Sequence, residues 1–517
     1  MATLYTDARI LGPRLELLEA DAFVVDRDVF TWAGRLGDAP KVARCVSLDG
    51  RTVTPGFVDG HAHLTMTGLM LGGLDLHGVK SAQALVRRLA GHAEARADAF
   101  LYGTGWDDSE WATSPTMTMI DRVAGDRHVY LSRIDAHSAL VSRTLLAAAR
   151  CARMDGAEVG NDGRPTGIVR RDAHHAVRRY FFDRMPMSKI REAHRLAAEA
   201  AVAKGITTVH EMSGPLHAAG ERDLDQLLKG TLSINVVCYY ADEDITVATR
   251  RGLKQIGGDL NADGSLGSRT AALSKAYADE AGHTGFLYRD AKALGDFFEA
   301  ATRAGLQAGV HCIGDAGCEA AVAGLERAAE RAGVEAVRAM RHRLEHFEMA
   351  TPAMIARAAE LGAVFSVQPA FDTFWGGAEG MYAARLGVKR AAPMNNIKAM
   401  LAAGTTVGFG SDCPVTPFDP LAAIRAATEP SNPAHAISQE HAFHAATLGA
   451  ASMAGESIPA GMIAPGHRAD FVVWEADPVR SRRPAIRATV ARGSAVYGML
   501  GDRKSERGAK PRTSLAP

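Results

Sequence analysis

Short apolar runs alternate with Ala-rich helical stretches through the middle of the chain. A helical stretch holding Ala197 to Ala203 leads into an apolar run at 206–210, and one ending near Ala304 leads into Gln307–Cys312. Strand, helix, strand, repeated, is the signal of a parallel α/β fold. The two ends read differently. Ala22-Phe23-Val24-Val25 and residues 42–46 are short alternating stretches, punctuated by Gly34, Gly37 and Asp38. Residues 469–474 and 488–496 have the same look, so both ends predict small β-structure. Residues 76–185 hold Trp106, Trp111, Tyr130 and several aspartates but few βα repeats, which predicts an inserted subdomain. Residues 501–517 are rich in Lys, Arg, Ser and Pro with almost no apolar content, and a disordered tail is expected there.

Composition narrows the picture. A chain of 517 residues, 47% apolar and 23% charged, can bury a large core. Lys+Arg and Asp+Glu are both 59, and a nucleic-acid or anionic-membrane partner would usually leave a basic excess. Six scattered cysteines lack paired metal-ligand spacing and call for no disulfide framework. Neither a signal-peptide run nor an apolar stretch of membrane-spanning length is evident. The expectation is a soluble cytoplasmic protein that takes a small-molecule substrate, with a homodimer as the default assembly.

Residues 53–63, VTPGFVDGHAH, end an apolar run in His61 and His63. On a strand, positions i and i+2 face one way, so both imidazoles can converge on one ion. With 19 histidines in the chain, roughly one such pair would arise by chance, so its company must decide. Gln307–Cys312 brings His311 to a strand end, followed by Gly314-Asp315. RLEH at 343–346 brings His346, and VGFGSD at 407–412 brings Asp412. Each ligand-type residue closes an apolar run just before a loop. Singly, each reads best as a structural histidine or a capping aspartate; four such runs together do not. Gly103-Thr104-Gly105 and Gly314-Asp315-Ala316-Gly317 lack the spacing of nucleotide loops, and no GxSxG elbow occurs.

These motifs resemble the amidohydrolase superfamily in their order: VTPGFVDGHAHL, HCIGDAG, RHRLEHFEM and GFGSDCPVTPFDPL. GTGWDDSEW, DAHSALVS, GITTVHEM and DGSLGSRTAAL resemble its family 3, the branch containing N-substituted formamide deformylase-like enzymes, and APGHRADFVVWEADP resembles the closing β-structure. The resemblance implies a (β/α)8 TIM barrel over 55–75 and 186–462. It adds a small β-sandwich domain from 1–54 and 463–500, and places the inserted α+β subdomain at 76–185 over the active site. It also implies that His61, His63, His311, His346 and Asp412 hold a metal. Catalytic roles fall to Asp412 as proton shuttle, to His346 as ligand or orienter, and to His137 as hydrogen-bond donor to substrate or oxyanion. A catalytic zinc keeps an open position for water beside three or four N/O ligands.

Two departures stand out. Many family members carry a lysine a few residues before DGSLGSRTA which, carboxylated, bridges two metals. Here Asp259 stands in that place, and as a much shorter side chain it is not expected to span the gap. Cys238 is a conceivable substitute but reads better as a buried small hydrophobe. One zinc per chain is therefore favoured, with a second divalent metal left open. Ser142 stands where the branch usually has asparagine. Trp106, Asp263 and Arg269 are the candidate substrate contacts. Trp106 can equally be core, the glycines around Asp263 can mark only a turn, and Arg269 can simply pair with a carboxylate. The expected activity is hydrolysis of a non-peptide C–N bond in a small N-acyl or N-formyl compound. Alternatives are an aminohydrolase acting on a heterocycle, disfavoured because no glutamate follows His311 before Glu319, and a non-catalytic barrel assembly protein, disfavoured because all five ligand-type residues are present.

Overall fold

The computed structural model describes residues 2–108, 111–134, 138–215, 219–481 and 483–500. The tail expected to be disordered lies outside them. The fold is mixed α/β. Its centre is eight strands that run parallel within two sheets. Phe57–Ala62 (β1), Ile206–Ser213 (β2) and Asn235–Tyr240 (β3) form one sheet in the order β3-β2-β1. Gln255–Ile256 (β4), Gln307–Cys312 (β5), Arg343–His346 (β6), Val364–Val367 (β7) and Val407–Phe409 (β8) form the other, in sequence order. Among the described residues the ladders do not join into a closed barrel. Hydrogen bonds nevertheless reach across both seams. Gly257 N donates to Tyr240 O (2.8 Å), Asp412 N to His61 O (2.7 Å) and His63 N to Cys413 O (2.8 Å).

Every residue of β1, β2 and β5 is buried, as expected of parallel strands covered on both faces. Helices Met187–Ala203, Ala291–Arg303, Asp315–Ala332 and Pro352–Glu360 supply the outer layer. Ala197, Ala201, Phe298, Leu325 and Ala358 pack with Val209, Val310 and Leu344 in one core. Small alanines let the helices sit close to the strands, which holds the strand ends in fixed relation.

The chain ends meet. Thr3–Thr6, Ala22–Asp26, Val29–Gly34 and Arg44–Ser47 form a four-stranded sheet. Arg9–Ile10, Thr52–Pro55, Phe471–Ala476, Ala485–Ala491 and Ser494–Gly498 form a five-stranded one. Tyr5, Phe23 and Phe30 of the first share a core with Val53, Phe471, Val473 and Val490 of the second. The inserted segment is more regular than its sequence suggests: six strands in the order Ala157–Val159, Pro165–Arg170, Ser138–Val141, His128–Arg133, Phe100–Trp106 and Leu74–Asp75. The sheet mixes parallel and antiparallel pairs, so it leaves no repeating βα pattern to read. Among the described residues no helix is long and apolar enough to cross a membrane.

Candidate metal centre

His61 and His63 close β1, His311 lies near the end of β5, His346 ends β6, and Asp412 follows β8. All five are buried. Adjacent strands of one sheet bring His311 and His346 together, their ring centroids 4.5 Å apart, and the His346 ring lies tilted at 4.8 Å from His61 across the interior. Two of these residues need a left-handed backbone: His346 has φ +66 and Asp412 φ +56. Such conformations cost of order 1–3 kcal/mol and persist where surrounding structure imposes them. At His346 the turn has a visible effect. Glu345 and His346 are neighbours that regular pleating would send to opposite faces, yet both side chains reach the same interior.

Hydrogen bonds fix the ring orientations. His61 Nδ1 meets Glu345 Oε2 at 2.8 Å, His63 Nδ1 meets the Met212 carbonyl at 2.8 Å, and His346 Nδ1 meets Gln368 Oε1 at 2.8 Å. Each partner only accepts, so each Nδ1 carries a proton, and a neutral ring would offer its Nε2 lone pair inward. Asp412 Oδ1 lies 3.0 Å from His63 Nε2 and 3.5 Å from His61 Nε2. His61 Nε2 and His311 Nδ1 are buried without a hydrogen-bond partner.

Asp259, despite its short side chain, also stands in the cluster. Its carboxylate lies 3.6 Å from His346 Nε2, 3.7 Å from His63 Nε2 and 4.0 Å from His61 Nε2. Three overlapping ligand groups result: His61 with His63 and Asp259, His61 with His346 and Asp412, and Asp259 with His311 and His346. Atoms bound tetrahedrally at the usual zinc–nitrogen and zinc–oxygen lengths stand roughly 3.3–3.5 Å apart. The observed separations straddle that value, and unpartnered nitrogens beside carboxylates are what a divalent cation satisfies. The residues fit a metal. Without one, burial opposes charging the histidines, but Asp412, joined by Glu345 at His61 and by Asp259 at His63, outweighs it and holds both pKa values above the ordinary value. Burial likewise pushes Asp412 up, and the two histidines outweigh it and hold it down.

Behind the candidate ligands lies a buried ion pair, Arg343 with Glu345. Arg343 Nε donates to Glu345 Oε1 (2.6 Å) and Nη2 to Glu345 Oε2 (2.9 Å). Its other contacts are the Gly60 carbonyl (2.6 Å), His210 Nδ1 (2.9 Å) and the face of Tyr239 (4.5 Å). Burial disfavours the Glu345 charge, but Arg343 and His61 overcome it and bring its pKa down to about 2. The pair fixes the ring of His61, the first candidate ligand. The signal for it was in the sequence: Arg343 and Glu345 are i and i+2 on a strand, the same argument that singled out His61 and His63.

The candidate substrate contacts each have protein partners of their own. Asp263 is fully buried and its carboxylate accepts backbone N–H groups of Ala272, Ile313 and Gly314 at 2.8–2.9 Å. Its Oδ1 comes within 3.8 Å of His311 Nδ1, so it clamps the loop that follows the ligand. Arg269 pairs with Asp279 through Nε (3.1 Å) and Nη2 (2.8 Å). Trp106 is buried inside the inserted subdomain, where Nε1 donates to Leu131 O at 2.9 Å and the ring packs with Leu140 and Ile168. His137 lies outside the described residues. Cys238 is buried beside Glu211 and Asp223 and belongs to none of the ligand groups.

A model described as the amidohydrolase family matches residues 44–498. The chain is 28% identical to the protein YtcJ of Bacillus subtilis over 492 residues, 87% of this chain and 90% of that one. It is 21% identical to N-substituted formamide deformylase of Arthrobacter pascens over 513 residues, 90% of this chain and 91% of that one. Among solved structures it is similar to an uncharacterized metal-dependent hydrolase from Pyrococcus furiosus, with TM-score 0.79, 27% identity, and coverage of 93% of this chain and all of that one.

Proposed function

Because the chain belongs to the amidohydrolase family, we propose that it is a metal-dependent hydrolase of non-peptide C–N bonds, with zinc as the expected metal. We read the two arcs of parallel strands as parts of one (β/α)8 barrel, whose strand C-termini are where such folds gather catalytic groups. The observation that carries the reading is the convergence of four imidazoles and two carboxylates, with His61 Nε2 and His311 Nδ1 buried and unpartnered.

A divalent cation bound there supplies a water nucleophilic at neutral pH and polarises the carbonyl under attack. The chain's own groups do the rest. His61, His63 and His346 keep their Nδ1 protons on Glu345, Met212 and Gln368, so they present bases toward the reacting centre. Asp412, beside His61 and His63, would take a proton from the attacking water and return it to the leaving nitrogen. Asp263 holds the loop after His311 by three backbone bonds and so keeps that ligand in place.

The substrate class we favour is a small N-acyl or N-formyl amine, in keeping with the likeness to the Arthrobacter pascens deformylase. Deamination of a heterocycle is less favoured. The first glutamate after β5, Glu319, is engaged by Arg357 Nη1 at 2.9 Å on the outer helices. The test is hydrolysis by zinc-loaded protein of a panel of N-substituted formamides, N-acyl amines and cyclic amides, read as amine release. Turnover of a formamide or N-acyl amine abolished by Asp412→Ala is expected. No turnover across the panel at full metal occupancy overturns the proposal, and ammonia release from purines or triazines would turn it toward deamination.

A further inference from the structure

We infer that Glu348, Tyr382 and the rings of Phe371 and Trp375 form a subsite that takes an ammonium group on the substrate. The substrate is then an N-acyl or N-formyl amine carrying a second, basic nitrogen; this rests on the hydrolase reading above and makes it more specific. Glu348 stands two residues beyond His346, is 3% exposed, and lies within electrostatic reach of His346 and Asp412. Tyr382, also 3% exposed, sits beside Glu348 and Asn395. Yet Glu348 Oε2, Tyr382 Oη and Asn395 Nδ2 are buried with no hydrogen-bond partner of good geometry among the described residues. No Lys or Arg among the described residues faces the Glu348 carboxyl either. Burying a carboxylate oxygen without a donor is costly, and such a group calls for a ligand that supplies one.

The rest of the wall is aromatic and held in place. From His346 the rings run without a gap. Phe371 stacks at 5.9 Å from His346, Trp375 meets Phe371 edge to face at 4.8 Å, and Tyr382 lies 6.3 Å from Trp375. Phe371 and Trp375 come from the helix Pro369–Trp375 that follows β7, and Tyr382 from the helix Met381–Leu386. Asn395, at φ +52, donates its N–H to Glu348 O (2.9 Å), and Ala278 N donates to Arg385 O (2.7 Å). Arg390 Nη1 and Nη2 donate to the carbonyls of Lys275 (3.0 Å) and Ala276 (2.8 Å). These bonds fasten the Tyr382 segment to the loops around it. A carboxylate among aromatic rings suits an ammonium group, because the rings attract a cation and low-dielectric walls strengthen the pull of the carboxylate. A neutral apolar substituent would fill the space but leave Glu348 Oε2 without a donor, and an anionic one would be repelled.

The experiment compares mono-formylated α,ω-diamines with N-alkyl formamides of the same length as substrates for the metal-loaded, full-length protein. Separately, alkylammonium chlorides and the matching alcohols are titrated calorimetrically, a readout that needs no turnover. Wild type should favour the ammonium compound in kcat/KM by about 10–100-fold, the worth of a hydrogen bond to a charged group. It should bind the alkylammonium ion and not the alcohol. Glu348→Gln, nearly unchanged in shape, should lose most of that preference and the calorimetric signal while melting with wild type. Should that variant fail to fold, Tyr382→Phe should lower the preference about 2–10-fold, as expected for one neutral hydrogen bond. No preference in wild type, or a preference unchanged in both variants, would overturn the subsite and leave the hydrolase reading standing. Alkylammonium binding that depends on Glu348, without turnover of any formamide, would overturn the hydrolase reading and leave the ammonium site standing.

Discussion

The Arg343–Glu345 pair gives the sharpest test of how the ligand shell is held. Both side chains are fully buried, and Glu345 also receives the His61 Nδ1 proton. The drop of its pKa from 4.5 to about 2 corresponds to roughly 3 kcal/mol of preference for the ionised form. That agrees with the roughly 3–5 kcal/mol expected when one member of a buried pair is removed and the other charge is stranded. Glu345→Gln keeps the shape and can still accept from His61, but strands Arg343. Arg343→Met strands Glu345. The double variant strands neither, so its loss should be smaller than the sum of the two by about 2 kcal/mol or more. Denaturant unfolding of chelated protein, followed by circular dichroism, measures all four corners without metal linkage. Metal titration then reports on His61, where a looser ring should weaken zinc binding about 10–100-fold in Glu345→Gln. Additivity within about 0.5 kcal/mol, or a Glu345→Gln loss below about 1 kcal/mol, would refute the argument.

Two further outcomes follow from groups away from the ligands. His342 is buried with both nitrogens engaged: Nδ1 accepts from Ala308 N (2.9 Å), and Nε2 donates to Thr302 Oγ1 (2.9 Å), whose proton goes to Phe298 O. Burial holds its pKa down to about 3 against 6.5, so the unfolded chain takes up a proton that the folded one refuses. Its contribution is therefore complete above pH 6.5 and is lost as pH falls from there toward 3. Melting of chelated protein from pH 7 to 4 should fall less steeply in His342→Gln than in wild type, and parallel profiles would count against the assignment. Arg269 and Asp279 are 29% and 26% exposed at their side chains, so Arg269→Ala should cost at most about 1 kcal/mol. If Arg269 also meets substrate, the same variant raises KM at unchanged stability; an unchanged KM would leave it a surface ion pair.

The candidate ligands were legible in the sequence because β1, β5, β6 and β8 end in a change of chemistry: an apolar run, then His or Asp, then a loop. A strand buried on both faces carries a polar residue where it leaves the layer or where a buried partner meets it, as Arg343 meets Glu345, so an unpaired polar end of the run points to the working end of the fold. What stayed hidden involves backbone, not residue type. Asp259 reaches the histidines because Gly257, Gly258 and Gly309, the last 51 positions beyond Gly258 in the chain, close against one another. A side-chain length argument holds the backbone still and misses this. The same applies to β6, where period-two alternation would send Glu345 and His346 apart and a left-handed φ at His346 brings them together. Trp106 is positioned by a third kind of constraint. Its indole N–H is satisfied by the Leu131 carbonyl within a mixed sheet whose pairing its local sequence does not encode. Each case has one form: the residues near a centre can be read from where apolar runs stop, but their final approach is set by glycines, strained torsions and strand partners that only the assembled chain brings together.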